Sequence, residues 1–153
     1  MKHYIIDGNN VIGKSKELTA IQKKDKSLSR EKLAFKAGNY FRDKKYKVTI
    51  HFDGFKNIPI NIPNITIVYS DTKEADSNIR RQIEQSKNPR QLILVSSDHA
   101  LQNFARACTC EVLPSEDFNK LLNEQNDNDE ENNKIESMNK EINEFKKLFG
   151  LKE

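Results

Sequence analysis

Short apolar runs alternate with stretches of helical spacing along this chain, a pattern that predicts a parallel sheet wrapped by helices. The predicted strands are residues 2–6, Lys47–Phe52, Ile65–Tyr69, 91–95 and 109–113. The fourth, Gln91-Leu92-Ile93-Leu94-Val95, is apolar almost throughout, as a strand covered on both faces should be. Ser27-Leu28-Ser29-Arg30-Glu31 resembles a capping box, opening a helix through Leu33, Phe35, Ala37 and Phe41. Residues 74–85 form the next helix, with Ile79 and Ile83 on one face and Arg80 and Arg81 turned elsewhere; Asn88-Pro89 stops it. A helix over residues 98–107 directs Leu101, Phe104 and Ala105 inward, and Pro114-Ser115-Glu116-Asp117 starts another. Residues 58–64 carry two prolines, which excludes a central strand and predicts a loop near the strand ends.

After Leu122 the pattern changes. Residues 123–133 hold no apolar side chain and predict an acidic, flexible linker. Ile135, Met138, Ile142, Phe145, Leu148 and Phe149 then recur at helical spacing, predicting an amphipathic C-terminal helix over 134–153. Such a helix needs a partner surface, whether its own domain, another protein or a second copy. The expected organisation is therefore a domain over 1–122, the linker and the helix.

The 153 residues suffice for one domain with a real core, and 32% charged residues describe a strongly solvated chain. No run approaches the roughly 18 apolar residues of a membrane span, and the N-terminus enters a strand without a signal-peptide pattern. The expected address is the cytoplasm. Cys108 and Cys110, separated by one residue in what looks like a strand, are read as reduced thiols; with no histidine nearby they make a poor zinc site. The net charge of +3 conceals an asymmetry: residues 1–113 hold 20 Lys+Arg against 12 Asp+Glu, whereas residues 114–153 hold 6 against 11. A basic body with an acidic tail suits a nucleic-acid binder with a self-masking extension; it also describes an ordinary lysine-rich surface.

Four aspartates, Asp7, Asp53, Asp76 and Asp98, stand where predicted strands or loops run out, and ligands of parallel α/β sheets bind outside the carboxyl ends of the strands. Asp7-Gly8-Asn9-Asn10 follows the first strand, where glycine permits a sharp turn and the asparagine amides can orient a carboxylate or contact phosphate; an Asx turn with helix capping is the plainer account. Phe52-Asp53-Gly54 ends the second strand and is also a common turn dipeptide. Glu74 and Asp76 open a helix, where acids favour the helix dipole, and Arg80 and Arg81 follow one turn later as phosphate ligands or as members of a surface ion-pair network. Ser96-Ser97-Asp98-His99 is a good N-cap sequence, and His99 is assigned no catalytic role.

Together the four imply more than any one. Clustered carboxylates need cations, and hard ions such as Mg²⁺ or Mn²⁺ prefer oxygen ligands. Ions so held can activate water and stabilise the leaving oxygen of a phosphodiester, with no serine, cysteine or histidine nucleophile. A doubly wound phosphatase would also place an aspartate after its first strand. It expects a second aspartate two residues on and a lysine after a late strand, whereas position 9 is asparagine and Val112-Leu113 leads to Pro114-Ser115.

The succession Ile5-Ile6-Asp7-Gly8-Asn9-Asn10, Phe52-Asp53-Gly54, Glu74-Ala75-Asp76-Ser77 and Ser96-Ser97-Asp98 resembles the YacP-like branch of the NYN family, over about residues 2–122. The resemblance implies a PIN-like α/β fold, a five-stranded parallel sheet in the order 3-2-1-4-5 with helices on both faces, and metal-dependent ribonuclease activity. It implies Asp7, Asp76 and Asp98 as metal ligands, Asp53 lining the same pocket, and Asn10 as the family's asparagine. Two departures stand out: Glu74 where the branch commonly has threonine, and Asn9 where an aromatic is frequent. The expected function is a Mg²⁺- or Mn²⁺-dependent endoribonuclease cutting single-stranded RNA, with Asn10, Lys56, Arg80, Arg81 and Ser97 on the substrate. The alternative is a non-catalytic RNA-binding or ribosome-associated module of the same fold.

Overall fold

In the computed structural model, which describes residues 1–125, β1 (His3–Asp7) is the middle strand of an all-parallel sheet. β2 (Lys47–Phe52) and β3 (Ile65–Tyr69) extend the sheet on one side, β4 (Leu92–Val95) and β5 (Glu111–Leu113) on the other, in the expected order 3-2-1-4-5. β1 pairs Ile6 with Ile50 and Val95, so the ends of the three central strands lie in register.

Because side chains alternate along a strand, the neighbours Ile5 and Ile6 serve opposite faces. Ile6 joins Val11, Ile12, Leu18, Leu33, Ala37, Phe41, Ile50, Phe52 and Phe118 in the larger core, under α1 (Gly8–Gly13), α2 (Lys16–Lys24), α3 (Lys26–Phe41) and α6 (residues 115–125). Ile5 packs with Leu92, Leu94, Ile79, Ile83, Leu101 and Ala105 beneath α4 (Ala75–Gln85) and α5 (His99–Ala107). Each isoleucine, leucine, valine or phenylalanine among them, fully withdrawn from water, contributes about 1.5–3 kcal/mol.

The structure corrects several expectations. α1 and α2 were not anticipated: α1 is a single short segment, and α2 carries few apolar residues to mark its period. α3 starts earlier than its predicted capping box, because Asp25 accepts the Leu28 amide at 3.1 Å. Phe35 faces solvent instead of the core. Cys108 caps α5 and Thr109 takes a positive φ of 69°, so β5 begins only at Glu111 and the cysteines precede it; both are free thiols. Residues 55–64 form the expected loop, but Ile60 and Ile62 pack against the larger core, with Ile62 filling the space over Gly38 of α3. α6 continues through residue 125, into the stretch predicted as linker. The remainder of that stretch and the predicted C-terminal helix lie outside the described residues. No described helix is long and apolar enough to cross a membrane.

Candidate active site

At the carboxyl ends of β1, β2 and β4 an open cleft of about 350 Å³ is lined by Asp7, Asn9, Asn10, Asp53, Lys73, Glu74, Asp76 and Asp98. All four aspartates singled out in the sequence share this one cleft, although they come from four separate stretches of chain.

Asp7 is the most confined of them. One carboxylate oxygen accepts the Ser96 hydroxyl at 3.0 Å. Burial pushes its pKa up to about 6; the Asp53 and Asp98 charges push the same way, while the Ser96 and Asn10 hydrogen bonds pull it down. Gly8 makes this turn close-packed as well as sharp. A Cβ there would stand 2.5 Å from the Phe52 ring and 2.8 Å from the His51 carbonyl oxygen, so β1 could not run into α1 with any other residue at this place.

The two asparagines act as brackets. Asn9 Oδ1 accepts the Asp53 amide at 2.8 Å, tying the end of β1 to the end of β2. Asn10 Oδ1 accepts the Ser97 amide at 2.9 Å and the Ser115 hydroxyl at 2.6 Å, tying the same turn to the end of β4 and the start of α6. Asp53 Oδ1 accepts the Ala75 amide at 2.7 Å and so caps α4 from another strand. Glu74, at the N-cap position itself, makes no side-chain cap bond and lines the cleft. Asp98 caps α5 through the Leu101 amide at 3.0 Å.

Asp76 is paired with Arg80, Nε to Oδ1 at 2.6 Å, and the guanidinium lies 4.9 Å from the Phe104 ring centroid. Arg80 is thus held by its own helix. Arg81 lines a separate groove with His3, Thr49, His51 and Gln82, on the face of the sheet that carries α4. Lys56 is exposed in the loop after β2, outside the cleft lining. Ser97 donates its hydroxyl to Glu116 at 2.7 Å and accepts the Ser115 amide at 2.9 Å.

Sequence reasoning missed Lys73, the cation of the lining, and two positioning side chains, Arg30 and Ser115. In the sequence Arg30 stands in the predicted capping box and Ser115 in a predicted helix start. Nothing local in the sequence indicates that Arg30 reaches the carbonyls of Asp53 and Phe55, the latter at 3.0 Å.

The donors suit a hard cation: carboxylate and amide oxygens, with no thiolate or imidazole in the lining. Among the described residues, however, no three acidic, histidine or cysteine side chains are gathered tightly enough to enclose one ion. Mg²⁺ does not require that, since it keeps several waters and takes one or two carboxylates directly. Asp7 with Asp53 or Asp98 supplies such a set, and a cation would offset both the burial that mainly raises the Asp7 pKa and the smaller repulsion from Asp53 and Asp98.

No curated protein matches the chain in sequence. Among solved structures it resembles Rae1 (YacP) from Bacillus subtilis, at 16% identity and a TM-score of 0.74, over 98% of this chain and 88% of that one. A single-residue variant of that protein aligns at 18% identity and a TM-score of 0.73, over 90% of this chain and 85% of the other. These likenesses establish the fold, a five-stranded all-parallel sheet in the order 3-2-1-4-5 flanked by helices. The sequence profile of the YacP-like NYN domain matches residues 4–149 of the 153, and on that ground the chain belongs to the YacP-like NYN domain family.

Proposed function

We propose that this protein is a Mg²⁺- or Mn²⁺-dependent endoribonuclease that hydrolyses phosphodiester bonds of single-stranded RNA, working in the cytoplasm. The observation that supports it is the convergence of Asp7, Asp53, Glu74, Asp76 and Asp98 on one cleft at the carboxyl edge of the sheet.

Asp7, with Asp53 and Asp98 beside it, would hold the cation, and Asp76 would join when its pairing with Arg80 opens. A divalent ion held there would supply positive charge against the phosphate and would lower the pKa of bound water. The chain's own part is to keep the carboxylates ionised and in place. Ser96 and the Asn10 amide hold the Asp7 carboxylate, and Asn9 and Asn10 fix the three strand ends around it. Lys73, in the same lining, would meet the phosphate.

The test is a cleavage assay on unstructured RNA with Mg²⁺ or Mn²⁺, using Asp7→Asn and Asp76→Asn. The expected result is at least a hundredfold loss for Asp7→Asn, about the size of removing one electrostatic transition-state contact, and a smaller loss for Asp76→Asn. Full cleavage by both variants would remove the mechanism. The second reading, a non-catalytic RNA-binding or ribosome-associated module, draws on the Asp76–Arg80 pair, which occupies one of the carboxylates. It predicts RNA binding with no metal-dependent products.

A further inference from the structure

We infer that Phe55 is a stacking platform for one unpaired base of a single-stranded RNA, forming a subsite at the lip of the carboxylate cleft. The inference rests on the proposal that RNA is the ligand.

Phe55 is 63% exposed, although a phenylalanine normally gains from burial. Its backbone is held from several sides. The Arg30 side chain, itself 9% exposed, lies 5.5 Å and 5.6 Å from the Phe52 and Tyr69 ring centroids. From there it donates to the carbonyl oxygens of Asp53 and of Phe55, the second at 3.0 Å. Gly54, at a positive φ of 84°, donates its amide to Ser70 Oγ at 2.9 Å and accepts the Asp71 amide at 2.9 Å. A buried cation and a buried serine therefore fix the course of residues 53–55, while the ring at the end of that course stays in water.

Phe55 follows Asp53 by two residues, so its Cα lies within about 7 Å of a cleft carboxylate residue. Lys56 adjoins it in sequence and Lys73 lines the cleft, so that cations for the phosphates stand on the same segment and in the cleft itself. The other exposed apolar side chains among the described residues, Met1, Leu28, Phe35 and Ile58, do not neighbour a cleft aspartate in sequence. An aromatic face set rigidly beside cations is how proteins hold single-stranded nucleic acid without reading its sequence, and an exposed ring with few rotamers loses little entropy on stacking.

The chain contains no tryptophan, so Phe55→Trp introduces a unique fluorophore at the proposed contact. We expect titration with a short single-stranded oligoribonucleotide, in EDTA to prevent cleavage, to quench its emission, and polyphosphate to leave it unchanged. Phe55→Ala should weaken oligoribonucleotide binding roughly ten- to hundredfold, leave polyphosphate binding as it was, and melt with the unsubstituted protein. Unquenched tryptophan at saturating RNA, or wild-type RNA affinity in Phe55→Ala, overturns the inference and leaves the nuclease proposal standing. Quenching without metal-dependent cleavage does the reverse. No RNA binding by the unsubstituted chain overturns both.

Discussion

Asp7 carries a conflict that single-residue experiments can expose. Its folded pKa of about 6 lies above the ordinary 3.8, so the folded state holds this proton more tightly than the unfolded chain. The stabilisation from Asp7 is fully present below about pH 4 and disappears as pH rises through about 6. Asp7→Asn keeps an oxygen for the Ser96 hydroxyl and removes the charge. In EDTA near pH 7.5 it should therefore raise unfolding stability by on the order of 1–2 kcal/mol, although with the metal present the same change lowers cleavage. Urea denaturation of both proteins across that pH range is the check, and parallel stability curves would show that the Asp7 charge is not confined. The same pKa predicts that metal affinity falls below about pH 6, because the ligand must be deprotonated.

At the level of elements, the cleft depends on caps exchanged between distant segments. Ser115, at the start of α6, gives its hydroxyl to Asn10 at 2.6 Å and its amide to Ser97 at 2.9 Å. Ser115→Ala should cost about 1–2 kcal/mol and reduce activity with every carboxylate still present, and Asn10→Ala combined with it should be less than additive. Additivity within about 0.5 kcal/mol would mean the two residues act independently.

The strands were legible because their apolar runs are sharply bounded: β2 and β3 match the predicted limits residue for residue. The convergence of the acids was legible too, since strand ends of a parallel sheet face one edge and the order 3-2-1-4-5 puts β2 and β4 beside β1. What could not be read were the partners. That Asp53 caps α4, that Arg80 turns to Asp76 and that Arg81 lies in another groove depend on side-chain directions that spacing does not encode. Phe35 shows the same limit: its helical spacing matched that of Leu33 and Phe41, yet it points outward.

Over the whole molecule, the charge of the basic body is concentrated. Residues 14–47, comprising α2, α3 and the turn to β2, hold 12 Lys+Arg against 4 Asp+Glu, equal to the entire surplus of residues 1–113. Lys32 and Lys36 of this group are occupied by Glu17. With an acidic cleft at the strand ends and a basic flank on α2 and α3, RNA affinity should fall steeply with salt, by about tenfold or more between roughly 50 and 200 mM. Filter binding in EDTA measures it; a flat response would mean that the flank does not touch the backbone.

The Asn10–Ser115 bond spans 105 residues, and this distance has a meaning in time. A nascent chain has all four aspartates in hand once Asp98 is made, yet the turn that sets them lacks its tie to α6 until Ser115 has cleared the exit tunnel. For an enzyme proposed to cut RNA, full competence would thus wait for a residue made after all four of its cleft aspartates.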